Sequence, residues 1–303
     1  MLKHIQLFLK GMAMGAADVV PGVSGGTIAF ITGIYERLIG AISSINKRTL
    51  LMLFRGQFRQ LWTAIDGTFL AVLFAGIFTS ILTLASVLTF TLEHYPILTW
   101  SFFFGLVAAS VWMMGRTVKQ WNAPAVVAFV LGTIVAYAIT EMNATAGSEA
   151  EAPWYLILSG ALAICAMILP GISGSFILLL LGAYSTVLAA VANRELLTIA
   201  YVGIGAVLGL LLFSKGLKYI FERFYNPTIA LLSGFLLGSL NKLWPWKETL
   251  ETFVKHAGTE REEIVALSVR NLAPGSDWPT AVIFALFGAV LVLGLEYAGK
   301  KMK

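Results

Sequence analysis

The chain has 303 residues, of which 58% are apolar and 12% charged, and its mean hydropathy is +0.83. Soluble domains average about a quarter charged residues, so this composition excludes an ordinary soluble protein and indicates an integral membrane protein. The net charge of +5 is then explained by basic loops on one membrane face, and nucleic acid is not expected as a partner. One cysteine and three histidines are too few for a disulfide framework or a Cys/His metal site, so neither a metal nor a cofactor is expected.

The first apolar segment, residues 11–35, is interrupted in its middle by residues 21–27, which read PGVSGGT. Proline removes a helix donor and glycine lacks the Cβ that favours helical backbone, so the motif predicts a break between two half-helices. Basic residues flank both ends of the segment, with Lys10 before it and Arg37 after it. Because cytoplasmic loops carry the excess of lysine and arginine, we expect a re-entrant hairpin that enters and leaves from the cytoplasmic side.

Residues 42–62 alternate basic side chains with leucine and phenylalanine, which predicts a basic amphipathic helix on the inner leaflet, anchored to anionic lipid. Three apolar stretches follow, at residues 68–91, 97–115 and 123–140. Each approaches the roughly 20 residues that a membrane crossing needs, so each is predicted to be a transmembrane helix. With the hairpin, they form a first predicted repeat at residues 1–150.

The second half, residues 151–303, repeats this order. A second apolar segment at residues 154–192 is interrupted by residues 170–175, which read PGISGS. Three further crossings are predicted at residues 198–214, 225–244 and 280–298, and a long loop of mixed charge at residues 245–279 is predicted to lie outside.

A shift of the sequence by 149 positions aligns the two interruptions, including Pro-Gly-x-Ser-Gly and the Gly-x-Tyr that follows each. Apolar residues pair easily by chance in this composition, but a shared motif of this kind indicates an internal duplication. Each half is one hairpin plus three crossings, and an odd number of crossings turns the second half upside down. The predicted fold is therefore an all-α polytopic membrane protein with an inverted repeat, as in secondary transporters, with both termini cytoplasmic.

The breaks are the candidate binding site. Exposed backbone groups in hydrocarbon cost several kcal/mol each, so such breaks persist only where they are buried in protein or line a wet cavity. A half-helix that starts there offers backbone donors to an anion, with Ser24 and Ser173 as N-caps. An alternative is that small residues and proline merely allow close packing of kinked helices. The predicted anion-contacting residues are Pro21, Gly22, Ser24, Gly25, Gly26, Thr27, Pro170, Gly171, Ser173, Gly174 and Ser175.

Asp18 stands three residues before Pro21 in an otherwise uncharged half-helix, and the second copy has Met167 there. A carboxylate at membrane depth costs about 2.5 to 3.5 kcal/mol, so it is expected to have a role. Two roles are open: it carries a coupling proton or sodium ion, or it caps the amides of its own loop. Further candidates for contacting an anionic headgroup are basic residues near the ends of apolar segments, although most would also serve as orientation signals: Arg37, Arg116, Lys119, Arg194 and Lys215.

Residues 18–27 (DVVPGVSGGT) and 170–176 (PGISGSF), each followed by Gly-x-Tyr, carry a pattern that resembles the polyprenyl-phosphate transporter family of undecaprenyl-phosphate translocases. The resemblance extends over essentially the whole chain. It implies a flippase of the bacterial cytoplasmic membrane that returns undecaprenyl phosphate from the outer to the inner leaflet for carrier-lipid recycling in cell-wall biogenesis. Its expected partners are undecaprenyl phosphate, membrane lipids and a coupling H⁺ or Na⁺, with alternating access and no catalytic residue.

Two other functions remain as alternatives. Undecaprenyl-pyrophosphate phosphatases also combine inverted repeats with a Pro-Gly-x-Ser motif, but arginine follows their serine, where this chain has Gly25 and Gly174. The histidines at positions 4, 94 and 256 lie outside both motifs, so hydrolysis lacks its cation and its base. The second alternative is an ion channel or exchanger that uses Asp18.

Overall fold

The computed structural model describes residues 2–19, 24–142, 152–255 and 263–301, which are mostly helical, as predicted. The first half contains α1 (Leu2–Val19), α2 (Gly25–Ile31), α3 (Tyr35–Ser43), α4 (Lys47–Phe54), α5 (Phe58–Ala64), α6 (Gly67–His94), α7 (Pro96–Gly115) and α8 (Ala123–Glu141). The second half contains α9 (Pro153–Ile168), α10 (Gly174–Leu180), α11 (Tyr184–Ala192), α12 (Leu196–Arg223), α13 (Tyr225–Ser239), a 3₁₀ turn (Leu240–Leu243), β1 (Lys247–Lys255), β2 (Glu263–Asn271) and α14 (Trp278–Lys301).

Each predicted crossing coincides with a helix. Among the described residues, the four helices α6, α7, α8 and α12 are long and apolar enough to cross a membrane. The number rises to five if α10 and α11, which are bent by 114° at the turn between them, count as one span. The chain is thus a multi-pass membrane protein. Helix α13 ends at Ser239, before the predicted boundary at residue 244, and the crossings by α13 and α14 stay predictions.

In the loop at residues 245–279 the structure differs from the predicted all-α fold. It contains an antiparallel hairpin in which Lys247 pairs with Asn271 and Lys255 with Glu263, with an irregularity around Glu251. Both strands are rich in threonine, valine and other residues that favour extended backbone. The strands were not predicted, because the mixed charges had been interpreted only as a sign of a polar loop.

The predicted amphipathic helix at residues 42–62 is also wrong as a single helix. Its first residues end α3, and the rest forms α4 and α5, separated at Gly56, whose φ is +69°. Asn46 and Thr49 form a capping box that starts α4 anew, and a left-handed glycine typically ends a helix. The two short helices still expose large apolar side chains, and their place on the inner leaflet stays a prediction: Leu50, Leu51, Leu53, Phe54, Phe58 and Trp62.

Helix packing repeats between the two halves. Helix α1 packs on α6 where Gly11 faces Gly76, and α9 packs on α12 through Gly160 and Gly205. A Cβ on any of these glycines would overlap a carbonyl oxygen of the facing helix, so their absence of a side chain permits the close approach. Gly11 and Gly160 are partners in the 149-residue alignment. The same contact therefore occurs at equivalent places in both halves.

The halves also interlock. Helix α8 of the first half packs on α13 of the second, and α14 of the second packs on α7 of the first. Glycines again lie at both contacts, with Gly132 and Gly234 in one and Gly105 and Gly288 in the other. Helix α2 lies in the interior of the molecule, where six of its seven residues are buried. The inversion of the two halves and the re-entrant course of their hairpins stay predictions.

Candidate functional site

The first break lies between α1 and α2. Pro21 and Gly22 lie outside the described residues. Ser24 is the N-cap of α2, as predicted, because its backbone is extended and its Oγ accepts a hydrogen bond from the amide of Gly26 at 3.1 Å. Ser24, Gly25, Gly26 and Thr27 are all buried. The serine therefore satisfies one of the amide donors that the break exposes.

Asp18 satisfies a second donor of the same break. Its Oδ1 accepts a hydrogen bond from the Gly25 amide at 2.6 Å. The carboxylate lies so close to Gly25 that a Cβ there would stand 2.5 Å from Oδ2. Of the two roles proposed for Asp18, the geometry favours the cap. The amides of Gly25 and Gly26 are consequently already occupied within their own loop.

The second break, between α9 and α10, is arranged differently. Gly171 adopts a φ of +88°, and Ser173 takes the N-cap position of α10. The Ser173 hydroxyl pairs with the Ser175 hydroxyl at 2.8 Å instead of accepting from a helix amide. Among the described residues, no acceptor is found for the amides of Gly174 and Ser175, and Ser175 is exposed. The second break therefore offers donors that the first one does not.

The two breaks contact each other. The Ser24 hydroxyl donates to the Met167 carbonyl at 3.0 Å, and the amide of Gly171 donates to Thr27 Oγ1, also at 3.0 Å. The Tyr35 hydroxyl donates to the carbonyl of Ile168 at 3.1 Å, and its side chain is only 2% exposed. Segments about 150 residues apart in sequence thus meet in the interior. Of the predicted anion-contacting residues, Ser24, Gly26, Thr27 and Gly171 lie at this contact. The other described members belong to the same two breaks: Gly25, Pro170, Ser173, Gly174 and Ser175.

The basic residues predicted as headgroup contacts do not gather at the breaks. The guanidinium of Arg37 forms a two-bond ion pair with Asp66, at 2.6 and 3.1 Å. Arg116 stacks on the Trp112 ring and Lys119 lies above the Tyr225 ring. Arg194 and Lys215 are exposed. No hydrogen bond or ion pair links any of the five to a described residue of either break.

Arg37 instead lines a basic cavity of about 330 Å³ beside the start of α1. Lys3, His4 and Lys10 contribute the other basic side chains. Lys10 Nζ donates to the carbonyl of Thr32 at 2.6 Å, which satisfies the C-terminal end of α2. This cavity lies at the end of the molecule that the charge pattern assigns to the cytoplasm. Lys10 had been interpreted there only as an orientation signal.

Sequence reasoning missed a pair of lysines beside the second break. The Lys242 ammonium lies 4.3 Å from the ring centre of Phe176, which directly follows Ser175. The Lys247 ammonium lies 3.7 Å from the ring centre of Trp100 and donates to the Lys242 carbonyl. Lys242 fell within a predicted crossing and Lys247 within a predicted loop. The signal that could have found them is the cluster of aromatic and basic residues at positions 242–247, KLWPWK.

Within the described residues, no group of three histidine, cysteine, aspartate or glutamate side chains could hold a metal ion. The donors at and beside the second break are the amides of Gly174 and Ser175, the hydroxyls of Ser173 and Ser175 and the ammonium of Lys242. Groups of this kind can donate hydrogen bonds to an oxyanion.

Comparison with known proteins identifies the family. The family model for undecaprenyl phosphate translocase-like proteins matches residues 14–261. This chain belongs to that family. A protein of Vibrio cholerae serotype O1 named polyprenyl-phosphate transporter is 46% identical over 312 residues, which cover 99% of this chain and 98% of the relative. A Staphylococcus aureus protein of the same name is 34% identical over 253 residues, or 78% of this chain and 85% of the relative. No solved structure gives a significant match.

The resemblance inferred from the two motifs is thereby confirmed. The part of this translocase-like chain that the family model matches includes both breaks and the lysine pair, and it ends before α14. The alignment with the Vibrio cholerae relative extends the similarity over nearly the whole chain. Both relatives are named as transporters, which favours transport over hydrolysis.

Two substitutions of Asp18 separate its proposed roles. We expect Asp18→Asn to retain transport within about threefold of the natural protein, because the asparagine Oδ1 still accepts from the Gly25 amide. Asp18→Ala leaves that amide without its acceptor and is expected to lower the free energy of unfolding by about 1–3 kcal/mol. Thermal unfolding in detergent and lipid transport in proteoliposomes measure the two effects. An Asp18→Asn variant that is fully stable and does not transport would instead assign the carboxylate to ion coupling.

Proposed function

We propose that this protein moves polyprenyl phosphate across the bacterial cytoplasmic membrane and returns undecaprenyl phosphate from the outer to the inner leaflet for carrier-lipid recycling. Membership of the translocase-like family and the names of the two relatives support the substrate class. The observation that carries the proposal is the buried contact between the two breaks, beside which the amides of Gly174 and Ser175 remain without an acceptor among the described residues.

The chemistry of the substrate explains why such a site is needed. A phosphate cannot cross hydrocarbon unaided, because an ionised group loses its hydration there. The polyprenyl tail cannot leave the hydrocarbon, because each buried CH₂ contributes about 0.8 kcal/mol. The protein therefore has to provide a polar path for the headgroup alone, while the tail stays in the lipid beside it.

In this proposal the second break receives the phosphate. The amides of Gly174 and Ser175 and the hydroxyls of Ser173 and Ser175 would donate to its oxygens. The first break, whose amides are held by Asp18 and Ser24, forms the rigid wall against which the second break packs. Mobile donors would lose conformational entropy on binding, so this rigidity favours the bound state.

The position of the two breaks supports a proposal of alternating access. They sit at the contact between two halves that share the same internal packing, so a rocking motion of one half against the other could open the contact to either side in turn. The membrane potential or a gradient of H⁺ or Na⁺ would supply the driving force. Both termini are cytoplasmic in this scheme, and the loop that holds the β-hairpin is extracytoplasmic.

Reconstitution tests the proposed function. We expect purified protein in proteoliposomes to move undecaprenyl phosphate between leaflets at least tenfold faster than protein-free liposomes, and to leave undecaprenol, which lacks the phosphate, unaffected. An absence of phosphate-dependent movement would refute the proposal. Release of inorganic phosphate from a polyprenyl pyrophosphate would favour the phosphatase, and ion currents without any lipid phosphate would favour the channel.

A further inference from the structure

The lysine pair lies where several helix ends meet on the face predicted to be extracytoplasmic. Lys242 is in the 3₁₀ turn after α13, and Lys247 begins β1. Trp100 stands in the first turns of α7, and Phe176 in the first turn of α10. At the end of α8, Glu141 accepts a hydrogen bond at 2.6 Å from Asn241, the neighbour of Lys242. Elements of both halves thus surround two ammonium groups.

In the part of the chain that the structure describes, neither the Lys242 nor the Lys247 ammonium has a carboxylate within ion-pair distance. Both side chains are only partly exposed, and each ammonium lies over an aromatic ring. Burial, and then the nearby charge of Lys242, lowers the pKa of Lys247 to about 7. The charge of Glu141 acts on Lys242 and opposes the effect of burial on its pKa, whereas the named causes of the shift at Lys247 are burial and the like charge of Lys242. Two like charges held close together raise the free energy of the empty site, and an anion bound between them would lower it.

The surroundings add hydrogen-bonding capacity and apolar walls. The indole nitrogen of Trp246 is buried and has no hydrogen-bond partner among the residues that the structure describes. The ring of Trp244 packs between those of Phe104 and Trp246, at 5.8 and 5.4 Å between ring centres. An apolar environment of this kind strengthens the attraction between an ammonium and an oxyanion, because little water screens it.

We propose that Lys242 and Lys247 form the receiving site for the phosphate monoester of a lipid, at the extracytoplasmic end of the path that leads to Ser175. This inference rests on the proposed function and names the residues that first bind the substrate headgroup. The contact of Lys242 with Phe176 places the pair next to the second break. Only the side chain of Phe176 therefore lies between a headgroup bound here and the hydroxyls of Ser173 and Ser175.

A lipid phosphate fits this site better than free phosphate. An apolar groove of about 420 Å³ runs along α7, the helix that also carries Trp100, and is lined by residues that include Thr99, Phe102, Phe103 and Phe287. The groove can accept a hydrocarbon chain while the lysines bind the headgroup. Free phosphate has no group to fill it.

Binding of farnesyl phosphate, a short prenyl monophosphate, to the full-length protein in detergent tests the proposal. We expect Lys242→Gln and Lys247→Gln each to weaken binding about tenfold or more, since each removes a charged donor. Farnesol, which has no phosphate, is expected to bind equally weakly to all variants, and inorganic phosphate weakly even to the natural protein. Lys218→Gln is the matched control, because Lys218 is exposed and pairs only with Glu222, one turn away on the same helix.

The pH dependence of the affinity for farnesyl phosphate distinguishes headgroup binding from a structural role, because a purely structural role of Lys247 would not affect it. Above pH 7 Lys247 loses its proton in the empty site, so affinity for farnesyl phosphate is expected to fall between pH 7 and 9. The phosphate is already doubly charged there, since its second pKa is about 6. Lys247→Arg, which stays charged, is expected to restore binding and to flatten this decline. The other charged groups near the pair are Glu141, Asp277 and the ion pair between Glu248 and Arg270.

The outcomes separate this inference from the proposed function. If both glutamine variants fold, bind farnesyl phosphate and transport as the natural protein does, the lysine pair is not the receiving site and the transport proposal stands. If Lys247→Gln fails to fold, the unchanged pH dependence of a folded Lys247→Arg variant would overturn the inference instead. If the natural protein neither binds farnesyl phosphate nor moves polyprenyl phosphate, both proposals fail.

Discussion

Gly171→Ala is expected to abolish lipid transport and to lower the free energy of unfolding by about 2–5 kcal/mol. Gly171 has a φ of +88°, which alone costs a residue with a Cβ roughly 1–2 kcal/mol. The new Cβ would also stand 2.7 Å from Ser239 Oγ and 3.1 Å from the carbonyl oxygen of Phe235. The serine hydroxyl could rotate away, but the backbone carbonyl belongs to α13 and cannot. The added methyl group would therefore displace the second break from its contact with α13. Thermal unfolding in detergent and leaflet movement in proteoliposomes measure the two effects.

Gly33→Ala is the matched control for this substitution. Gly33 has a similar φ of +70°, but a Cβ there would meet no atom within 4 Å. It therefore carries the cost of the left-handed backbone without the overlap, and we expect it to retain most of its transport. Equal losses of transport and stability in the two variants would show that backbone strain alone is responsible. The contact of the second break with α13 would then be unimportant.

The second large effect distinguishes the two serines. Ser24→Ala is expected to lower the free energy of unfolding by about 1–3 kcal/mol, because one buried hydroxyl both caps the Gly26 amide and bonds the Met167 carbonyl. Ser173→Ala removes only a bond to the Ser175 hydroxyl, so stability is expected to change by less than about 1 kcal/mol. Under the proposed function, Ser173→Ala should instead weaken the binding of farnesyl phosphate severalfold.

Thermal unfolding and ligand binding, measured side by side on both variants, check this contrast. A Ser173→Ala variant as unstable as Ser24→Ala would mean that both serines are structural. Wild-type binding by Ser173→Ala together with wild-type stability would remove that hydroxyl from the site. Either result would favour the interpretation that the Pro-Gly motifs serve only close helix packing.

The contrast follows from an asymmetry that the duplicated motif does not reveal. Both copies read Pro-Gly-x-Ser-Gly, yet only the first is preceded by an acidic residue, Asp18, where the second has Met167. The carboxylate and Ser24 occupy the amides of the first copy. The second copy lacks a carboxylate, and its serine pairs with a neighbouring serine. The first motif thus occupies its own amides, whereas the second leaves the amides of Gly174 and Ser175 without an acceptor among the described residues.

Several features were determined by the sequence alone because their causes are local. Long apolar runs form helices in a membrane protein, so each predicted crossing coincides with a helix. A Pro-Gly pair in the middle of an apolar segment favours a break in the helix, and each interruption lies between two helices of the structure. Where local signals conflicted, prediction failed. The left-handed Gly56 divides the predicted amphipathic helix, and strand preferences hidden among mixed charges form the β-hairpin.

Only the tertiary structure decided which residues meet. The bonds from Ser24 to the Met167 carbonyl and from the Gly171 amide to Thr27 join segments about 150 residues apart, and no local preference encodes such a pairing. The same holds for Lys242 and Lys247, whose ammonium groups lie over the rings of Phe176 in α10 and Trp100 in α7. Burial and charge depend on what surrounds a side chain in space. The sequence therefore identified the breaks, and the fold determined which of their donors are free.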